Sequence, residues 1–287
     1  MAVLSEMDDK NRVVFCTYSS VYSSLVLKRL IKDERIDVVA IINSTRIIRP
    51  DYGLIKGSLK QIKMTGWRYS VYLFLVTDLF LWFQTIAGFK KNTLKSVHHI
   101  AQAYQIPVLD TPDINQEEPI SFIQKYNADY LIAAHFNQLV KNDVLMLPKQ
   151  GCLNIHPSLL PQYKGVDPVF YALLNDEACL GVSLHRMAKT FDSGEVLLQK
   201  KQRFNASDSV FMINCQLFSD GAELLCRWFE TLDRIQIKEK ILPENEKNVL
   251  DHYDSWPSSK TVSQFKRTGK YLIRLTEYFQ KISSIIK

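Results

Sequence analysis

The chain has 287 residues, of which 46% are hydrophobic and 23% charged, and its formal net charge is +6. This composition excludes a disordered chain, and the length favours one large domain or one domain with an appendage. The N-terminal stretch MAVLSEMDDKNR has no apolar core of signal-peptide length, and the five cysteines show no metal-ligand spacing. We therefore expect a cytoplasmic protein with reduced thiols and no bound metal. The positive charge alone does not distinguish a phosphate-bearing substrate, a nucleic acid or a membrane surface.

Strand and helix patterns alternate along the first two thirds of the chain. The first half contains apolar strand patterns at RVVFCTYSS, IDVVAIINS, PVLD and ADYLIAAH, and helix patterns at VYSSLVLKRLIKD, SVHHIAQAYQ and EPISFIQKY. After GCLNIH, the segment VDPVFYALLND predicts a helix with Asp167 as N-cap and Pro168 as its first residue. Two strands, LGVSLHRM and GEVLLQKKQRF, and a long helix from Ser207 follow. This order predicts an α/β fold with an open, mostly parallel sheet of Rossmann-like type.

The stretch GCLNIHPSLLPQYKG, residues 151–165, is the first candidate site. Asn154 and His156 lie two residues apart and so share one face at the end of a predicted strand. In an open parallel sheet, ligands bind beyond the carboxyl ends of the strands. The alternative is a strand end at which both side chains only cap local backbone groups.

Asp192 in KTFDSGEV is the third candidate residue, because a turn between two predicted strands could return its carboxylate to His156. A turn-forming Asp before Ser-Gly is common, so Asp192 alone indicates little. The combination LNIHPSLLPQYKG followed by FDSG, however, resembles the three-part signature of the folate-dependent formyltransferases. The resemblance extends from about residue 12 to residue 204, apart from one insertion.

The resemblance implies transfer of a formyl group from 10-formyltetrahydrofolate, a cosubstrate, to an amine. In this chemistry Asn154 and protonated His156 would stabilise the oxyanion, and His156 with Asp192 would carry the proton. The resemblance also implies that two loops hold the pterin part of folate. These are Asn137, Gln138, Leu139 and Val140, and Ala188, Lys189, Thr190 and Phe191. We interpret His98, His99, His185 and His252 as structural or surface residues; for His135 a place beside the folate loop is the alternative.

The acceptor amine is less well defined than the formyl donor. GVSLHRMAKTFDSGEVLLQ is most similar to formyltransferases acting on UDP-4-amino-4-deoxy-L-arabinose and other sugar nucleotides, which implies an amino sugar on a nucleotide. The alternatives are an amino acid, a ribonucleotide or a lipid-linked amine, or a non-catalytic relative that binds folate or a nucleotide. We expect no nucleic-acid partner, because residues 205–287 lack the short alternating strands of a tRNA-binding barrel.

Two segments fall outside the family pattern. Residues 54–92 form a hydrophobic insertion within the predicted catalytic domain, residues 11–204, and residues 205–287 are predicted to form a C-terminal helical extension. Arg68 and Asp78 interrupt the apolar centre of the insertion, so we do not expect it to span a bilayer. Dense aromatic residues instead predict helices outside the sheet. These helices would pack against the body of the protein or across a homodimer, or residues 64–88 would lie on a membrane surface and make the protein peripheral to the membrane.

Overall fold

The main sheet carries seven of the strands seen in the described residues. The structure is a computed structural model that describes residues 10–86, 93–177, 179–205, 207–234 and 252–283. The sheet contains β1 (Asn11–Thr17), β2 (Ile36–Ser44), β3 (Val108–Thr111), β4 (Tyr130–Ala134), β5 (Gly151–His156), β7 (Cys179–Arg186) and β8 (Val196–Arg203), in the order β3-β2-β1-β4-β5-β7-β8. The first five strands in this order are parallel, and β7 is antiparallel to both β5 and β8. The predicted open, mostly parallel α/β sheet is therefore confirmed.

Helices cover both faces of this sheet. They are α1 (Val21–Leu30), α5 (Val97–Ala103), α6 (Glu117–Lys125), α7 (Asn142–Leu145), α8 (Pro168–Leu174), α9 (Val210–Arg234), α10 (Ser259–Arg267) and α11 (Leu275–Ser283). Residues of α1, α5, α8 and α9 belong to one buried apolar cluster, and residues of α6 and α7 to a second. The central strands therefore need apolar residues on both of their faces.

Strand β1 shows how the sequence satisfies this requirement. Val13 and Phe15 point into the first cluster, whereas Val14 and Cys16 point into the second. All four side chains are fully buried. A continuous apolar run, which alone does not distinguish a strand from a buried helix, is explained here by the period of two in side-chain direction.

Helix α8 begins as its sequence predicts. The Asp167 side chain accepts a hydrogen bond from the Phe170 backbone N–H at 3.3 Å, and Pro168 occupies the first helical turn. The carboxylate thereby satisfies one of the N–H groups that a helix leaves unpaired at its start.

The insertion is helical and lies outside the sheet, as expected, and part of it packs against the body of the protein. It forms three helices, α2 (Leu54–Thr65), α3 (Trp67–Val76) and α4 (Asp78–Ile86). Tyr69, Tyr72 and Val76 of α3 and Phe80 of α4 are buried in the same apolar cluster as the sheet residues. The aromatic density therefore reflects, in part, ordinary core packing. Other apolar side chains of α2 and α3 are exposed, and contact of these with a second copy or a membrane stays a prediction.

The C-terminal part of the chain contributes to the body as well. Helix α9 packs in the same cluster as the sheet, and β9 (Tyr253–Asp254) pairs in parallel with the short strand β6 (Lys164–Gly165). The described residues after position 204 therefore share a core with the sheet. The domain boundary predicted at that position stays a prediction. No helix within the described parts of the chain has the length and hydropathy needed to cross a membrane.

Candidate active site

A cavity of about 680 Å³ lies at the carboxyl ends of the parallel strands. The strand order reverses between β1 and β4, which is the position where open α/β sheets bind ligands. Tyr18 after β1, His135 after β4, and Asn154 and His156 at the end of β5 line this cavity. Helices α2 and α3 of the insertion form another part of its wall.

Asn154 is held by a residue that the sequence analysis treated as structural. Its Nδ2 atom lies 3.0 Å from Nε2 of His185, which is directly opposite on β7. The Nδ1 atom of His185 lies 2.8 Å from the backbone oxygen of Arg186, so Nδ1 carries the proton and Nε2 accepts from Asn154. Burial, followed by the nearby His156, lowers the pKa of His185 to about 4, which keeps this ring neutral. One N–H of the Asn154 amide is thereby fixed, and the second can serve a ligand.

His156 is buried beside a carboxylate. Its Nε2 atom donates to the backbone oxygen of Tyr163 at 3.1 Å, and its Nδ1 atom faces Asp192 Oδ1 at 3.5 Å. The side chains of His156 and Asp192 are 6% and 9% exposed, so solvent screens the pair weakly. The carboxylate therefore lies where it can stabilise positive charge on the ring during proton transfer.

The position of Asp192 depends on two glycines. Asp192 Oδ2 accepts a hydrogen bond from the Gly165 backbone N–H at 3.0 Å. A Cβ atom on Gly165, whose φ is +129°, would lie 2.0 Å from the Asp254 oxygen, and one on Gly194 would lie 1.9 Å from the Arg186 oxygen. Close backbone approach at both positions therefore brings the loop with Asp192 against the end of β5, as the sequence predicts.

The loop after β5 is fixed from β7. The Ser183 hydroxyl donates to the Ser158 oxygen at 2.6 Å and accepts from the Leu160 N–H at 3.0 Å. These bonds hold the PSLLP segment in place beside the cavity, which its first residue, Pro157, lines.

The predicted folate loop, residues 137–140, lines the cavity. The side chains of Asn137 and Gln138 form hydrogen bonds that hold this loop in place. Asn137 accepts from the Ser44 hydroxyl and donates to the Arg46 oxygen, both at 2.6 Å. Gln138 accepts from the Ile114 N–H at 2.6 Å and donates to the Ser44 hydroxyl at 2.7 Å. The backbone is therefore held rigidly, as a loop that binds a pterin through its main chain would need. Leu139 and Val140 complete this part of the lining.

The second predicted folate loop contributes three of its four residues to the cavity. Ala188, Thr190 and Phe191 line it, whereas Lys189 is exposed and is not among the lining residues. Phe191 packs against Tyr253 of β9, with ring centroids 5.7 Å apart. A residue of the predicted extension thus supports the loop that precedes Asp192.

The other histidines separate into two groups. His135 lines the cavity, and its Nδ1 atom lies 3.0 Å from the Tyr18 oxygen and 3.1 Å from the Ser20 hydroxyl, so it also fixes the end of β1. Burial lowers the pKa of His135. His98, His99 and His252 are not among the lining residues, which agrees with their interpretation as structural or surface groups.

Sequence reasoning missed two elements of this site. His185 could have been found, because the alternation in LGVSLHRM places it on the face opposite to Val182 and Leu184, which are buried against α9. The second is the contact between Tyr69 of the insertion and Asp167, whose oxygen atoms lie 2.7 Å apart. No sequence signal pairs these residues, which are 98 positions apart.

Comparisons with known proteins show which family this chain resembles. Residues 85–227 match the family described as Formyl transferase. A methionyl-tRNA formyltransferase of Thermotoga neapolitana is 33% identical over 148 residues, which cover 52% of this chain and 47% of that protein. The chain thus spans about half the length of these curated relatives.

Two solved structures share the fold. A sugar N-formyltransferase from a Shewanella species aligns with a TM-score of 0.51 at 14% identity, covering 85% of this chain and 76% of the other. A sugar 3N-formyl transferase, solved with dTDP and 5-N-formyl-THF, aligns with a TM-score of 0.50 at 17% identity, covering 85% and 69%. The family match, the curated relatives and these folds confirm the resemblance of this chain to the formyltransferase family.

Proposed function

We propose that the chain transfers a formyl group from 10-formyltetrahydrofolate to a primary amine. The observation that carries this proposal is the meeting of Asn154, His156 and Asp192 at one cavity, which the rigid loop of residues 137–140 also lines. A binding protein would need the rigid loop but not the three polar groups together.

Asn154 stabilises negative charge in this mechanism. Attack of the amine nitrogen on the formyl carbon places negative charge on the formyl oxygen. Because His185 holds one N–H of the Asn154 amide, the second N–H is oriented before the substrate arrives. Such a preorganised donor is worth more in a dry site than in water.

His156 and Asp192 move the proton. The attacking amine must lose a proton, and the folate nitrogen N10 must gain one as its bond to the formyl carbon breaks. Because Nε2 of His156 already donates to the Tyr163 oxygen, the proton goes to Nδ1, where Asp192 at 3.5 Å stabilises the imidazolium, and Nδ1 then returns the proton to N10. The products are the formamide and tetrahydrofolate, so charge and protons balance.

The residues around the cavity suit the folate cosubstrate. The rigid backbone of residues 137–140 offers hydrogen bonds to a planar heterocycle, and Val140, Met187 and Phe191 offer apolar contact. These are the features of small-molecule pockets in general, in which few polar groups fix the orientation of a ligand.

An amino sugar on a nucleotide is the acceptor class that the sequence resemblance favours. The aligned sugar formyltransferases support the fold and not the acceptor, since they are less than 20% identical. An amino acid, a ribonucleotide and a lipid-linked amine are therefore part of the same test.

The test is the consumption of 10-formyltetrahydrofolate, followed by absorbance, with a panel of these amines. We expect turnover with at least one amine, and a loss of about a hundredfold to a thousandfold in kcat for Asn154→Ala and for His156→Ala. Circular dichroism of both variants controls for folding. Near-normal kcat in both variants would contradict the proposal, and folate binding without turnover of any amine would favour the non-catalytic alternative.

A further inference from the structure

The cavity continues onto an apolar surface that the insertion provides. Ile62 of α2 and Trp67, Val71 and Phe74 of α3 line the cavity, yet they are 45%, 64%, 45% and 49% exposed. These four side chains, here called the apolar rim, therefore belong both to the cavity wall and to the outer surface. A ligand bound at Asn154 and His156 can extend from the site along the apolar rim without leaving apolar contact.

The charges around the cavity are of one sign. Among the described residues that line it, none is Lys or Arg, whereas Asp78, Asp167 and Asp192 are present. Lys56, Lys60 and Lys63 of α2 are exposed and are not lining residues. A diphosphate is normally bound by Lys, Arg or backbone N–H groups, so this lining does not favour a nucleotide. An ammonium group is compatible with it.

The polar groups on the insertion side of the cavity suit a small head group. Asp167 is 7% exposed and sits deep in the wall, beside Tyr69 and Tyr72. Ser58, Gln61 and Ser70 add neutral polar groups to the wall formed by α2 and α3. Asp167 thus lies in the buried part of the wall, Gln61 and Ser70 are half-buried, and Ser58 is exposed beside the apolar rim.

We propose that the formyl acceptor is a primary amine carried on an apolar chain, and that this chain lies along the apolar rim. The inference rests on the proposed function and names the acceptor class for the same site. The amine enters the cavity toward Asn154 and His156, and the chain stays at the opening. A free amphiphilic amine and a lipid with an amine head group share this chemistry.

The first experiment measures how formylation depends on chain length. Butylamine, octylamine and dodecylamine are compared at concentrations below micelle formation, together with a nucleotide-linked amino sugar. Burial of one methylene contributes about 0.8 kcal/mol, so we expect kcat/KM to rise by up to about fourfold per added methylene. The same long-chain amine, presented in phosphatidylcholine vesicles, distinguishes a lipid-held acceptor from a monomeric one. Transfer to either form of the amine supports the inference. The absence of transfer to both forms contradicts it.

A matched pair of variants locates the chain. Ile62 and Leu59 are both exposed apolar residues of α2, but only Ile62 lines the cavity. Ile62→Asp is expected to remove most of the gain in kcat/KM with chain length, whereas Leu59→Asp is expected to keep it. Circular dichroism and thermal unfolding of both variants control for folding. Equal effects of the two substitutions would overturn the placement of the chain on the apolar rim.

Calorimetry gives a readout that does not depend on turnover. Dodecylamine is expected to bind at least about tenfold more tightly than dodecanoate, because the charged lining residues are acidic. Equal affinity for dodecylamine and dodecanoate would mean that the apolar rim binds apolar chains regardless of their head group. This result would overturn the inference. If the nucleotide sugar is formylated and chain length has no effect, the inference fails and the proposed function stands. If no amine is formylated, the proposed function fails, and the inference, which rests on it, fails with it.

Discussion

The hydrogen bond between Tyr69 of the insertion and Asp167 at the start of α8 can be tested quantitatively with the substitution Tyr69→Phe. The Tyr69 hydroxyl donates to Asp167 Oδ2 at 2.7 Å, and the two residues are 1% and 7% exposed. Burial raises the pKa of Asp167 from 3.8 to about 6, and the bond from Tyr69 opposes this rise. Removing one hydroxyl therefore leaves a buried carboxylate without one of its donors, while the ring still fills its space.

The cost of this substitution depends on pH. Near pH 7.5 the carboxylate is charged, and a hydrogen bond to a charged group contributes about 1.5–3 kcal/mol. Near pH 5 folded Asp167 is mostly protonated, and a bond between neutral groups contributes about 0.5–1.5 kcal/mol. The sign follows from proton binding. Between pH 3.8 and about 6 the folded state binds the proton that the unfolded state has released, so this group's contribution to stability falls as pH rises through that window. Tyr69→Phe raises the folded pKa further and extends the fall to higher pH.

Urea unfolding at about pH 7.5 and about pH 5, with and without the substitution, measures this difference. The matched control is Tyr278→Phe, because the hydroxyl of this buried tyrosine donates to the neutral Leu75 backbone oxygen at 2.7 Å. We expect the control to lose about 0.5–1.5 kcal/mol at both pH values. A loss for Tyr69→Phe that is the same at both pH values would refute the argument.

Two further predictions concern the loop with Asp192. Asp192→Asn should lower kcat by about a hundredfold or more while folate affinity stays close to normal, since an amide can accept from Gly165 N–H but cannot balance an imidazolium. Unchanged kcat with a saturating amine would make Asp192 a turn residue only. Gly194→Ala should displace the loop and lower both kcat and stability, because its Cβ would meet the Arg186 oxygen at 1.9 Å, whereas Gly53→Ala, with no atom within 4 Å, should be neutral in thermal unfolding and turnover. Wild-type activity in Gly194→Ala would show that the loop position does not matter.

The sequence by itself determined the features that depend on neighbouring residues. The strand IDVVAIINS is β2 from its first residue to its last, and GCLNIH is β5, because apolar runs of this length bounded by polar turns have few other solutions. Asp167 before Pro168 fixed the start of α8 for the same local reason. The resemblance of LNIHPSLLPQYKG and FDSG to a family signature assigned Asn154, His156 and Asp192 to one site, because such a signature depends only on the order and spacing of residues along the chain.

Only the tertiary structure decided which distant groups meet. The position of His185 beside Asn154 follows from the antiparallel register of β7 on β5, which the sequence of neither strand specifies. The aromatic density of the insertion predicted that its apolar side chains would be covered, but it did not say by what. Burial is non-directional and scales with apolar area, so a run of Tyr, Phe and Leu can pack against its own sheet, a second copy or a lipid with similar gain. The hydrogen bond from Tyr69 to Asp167 is directional, and it is this contact, made only in the folded chain, that places α3 at the wall of the site.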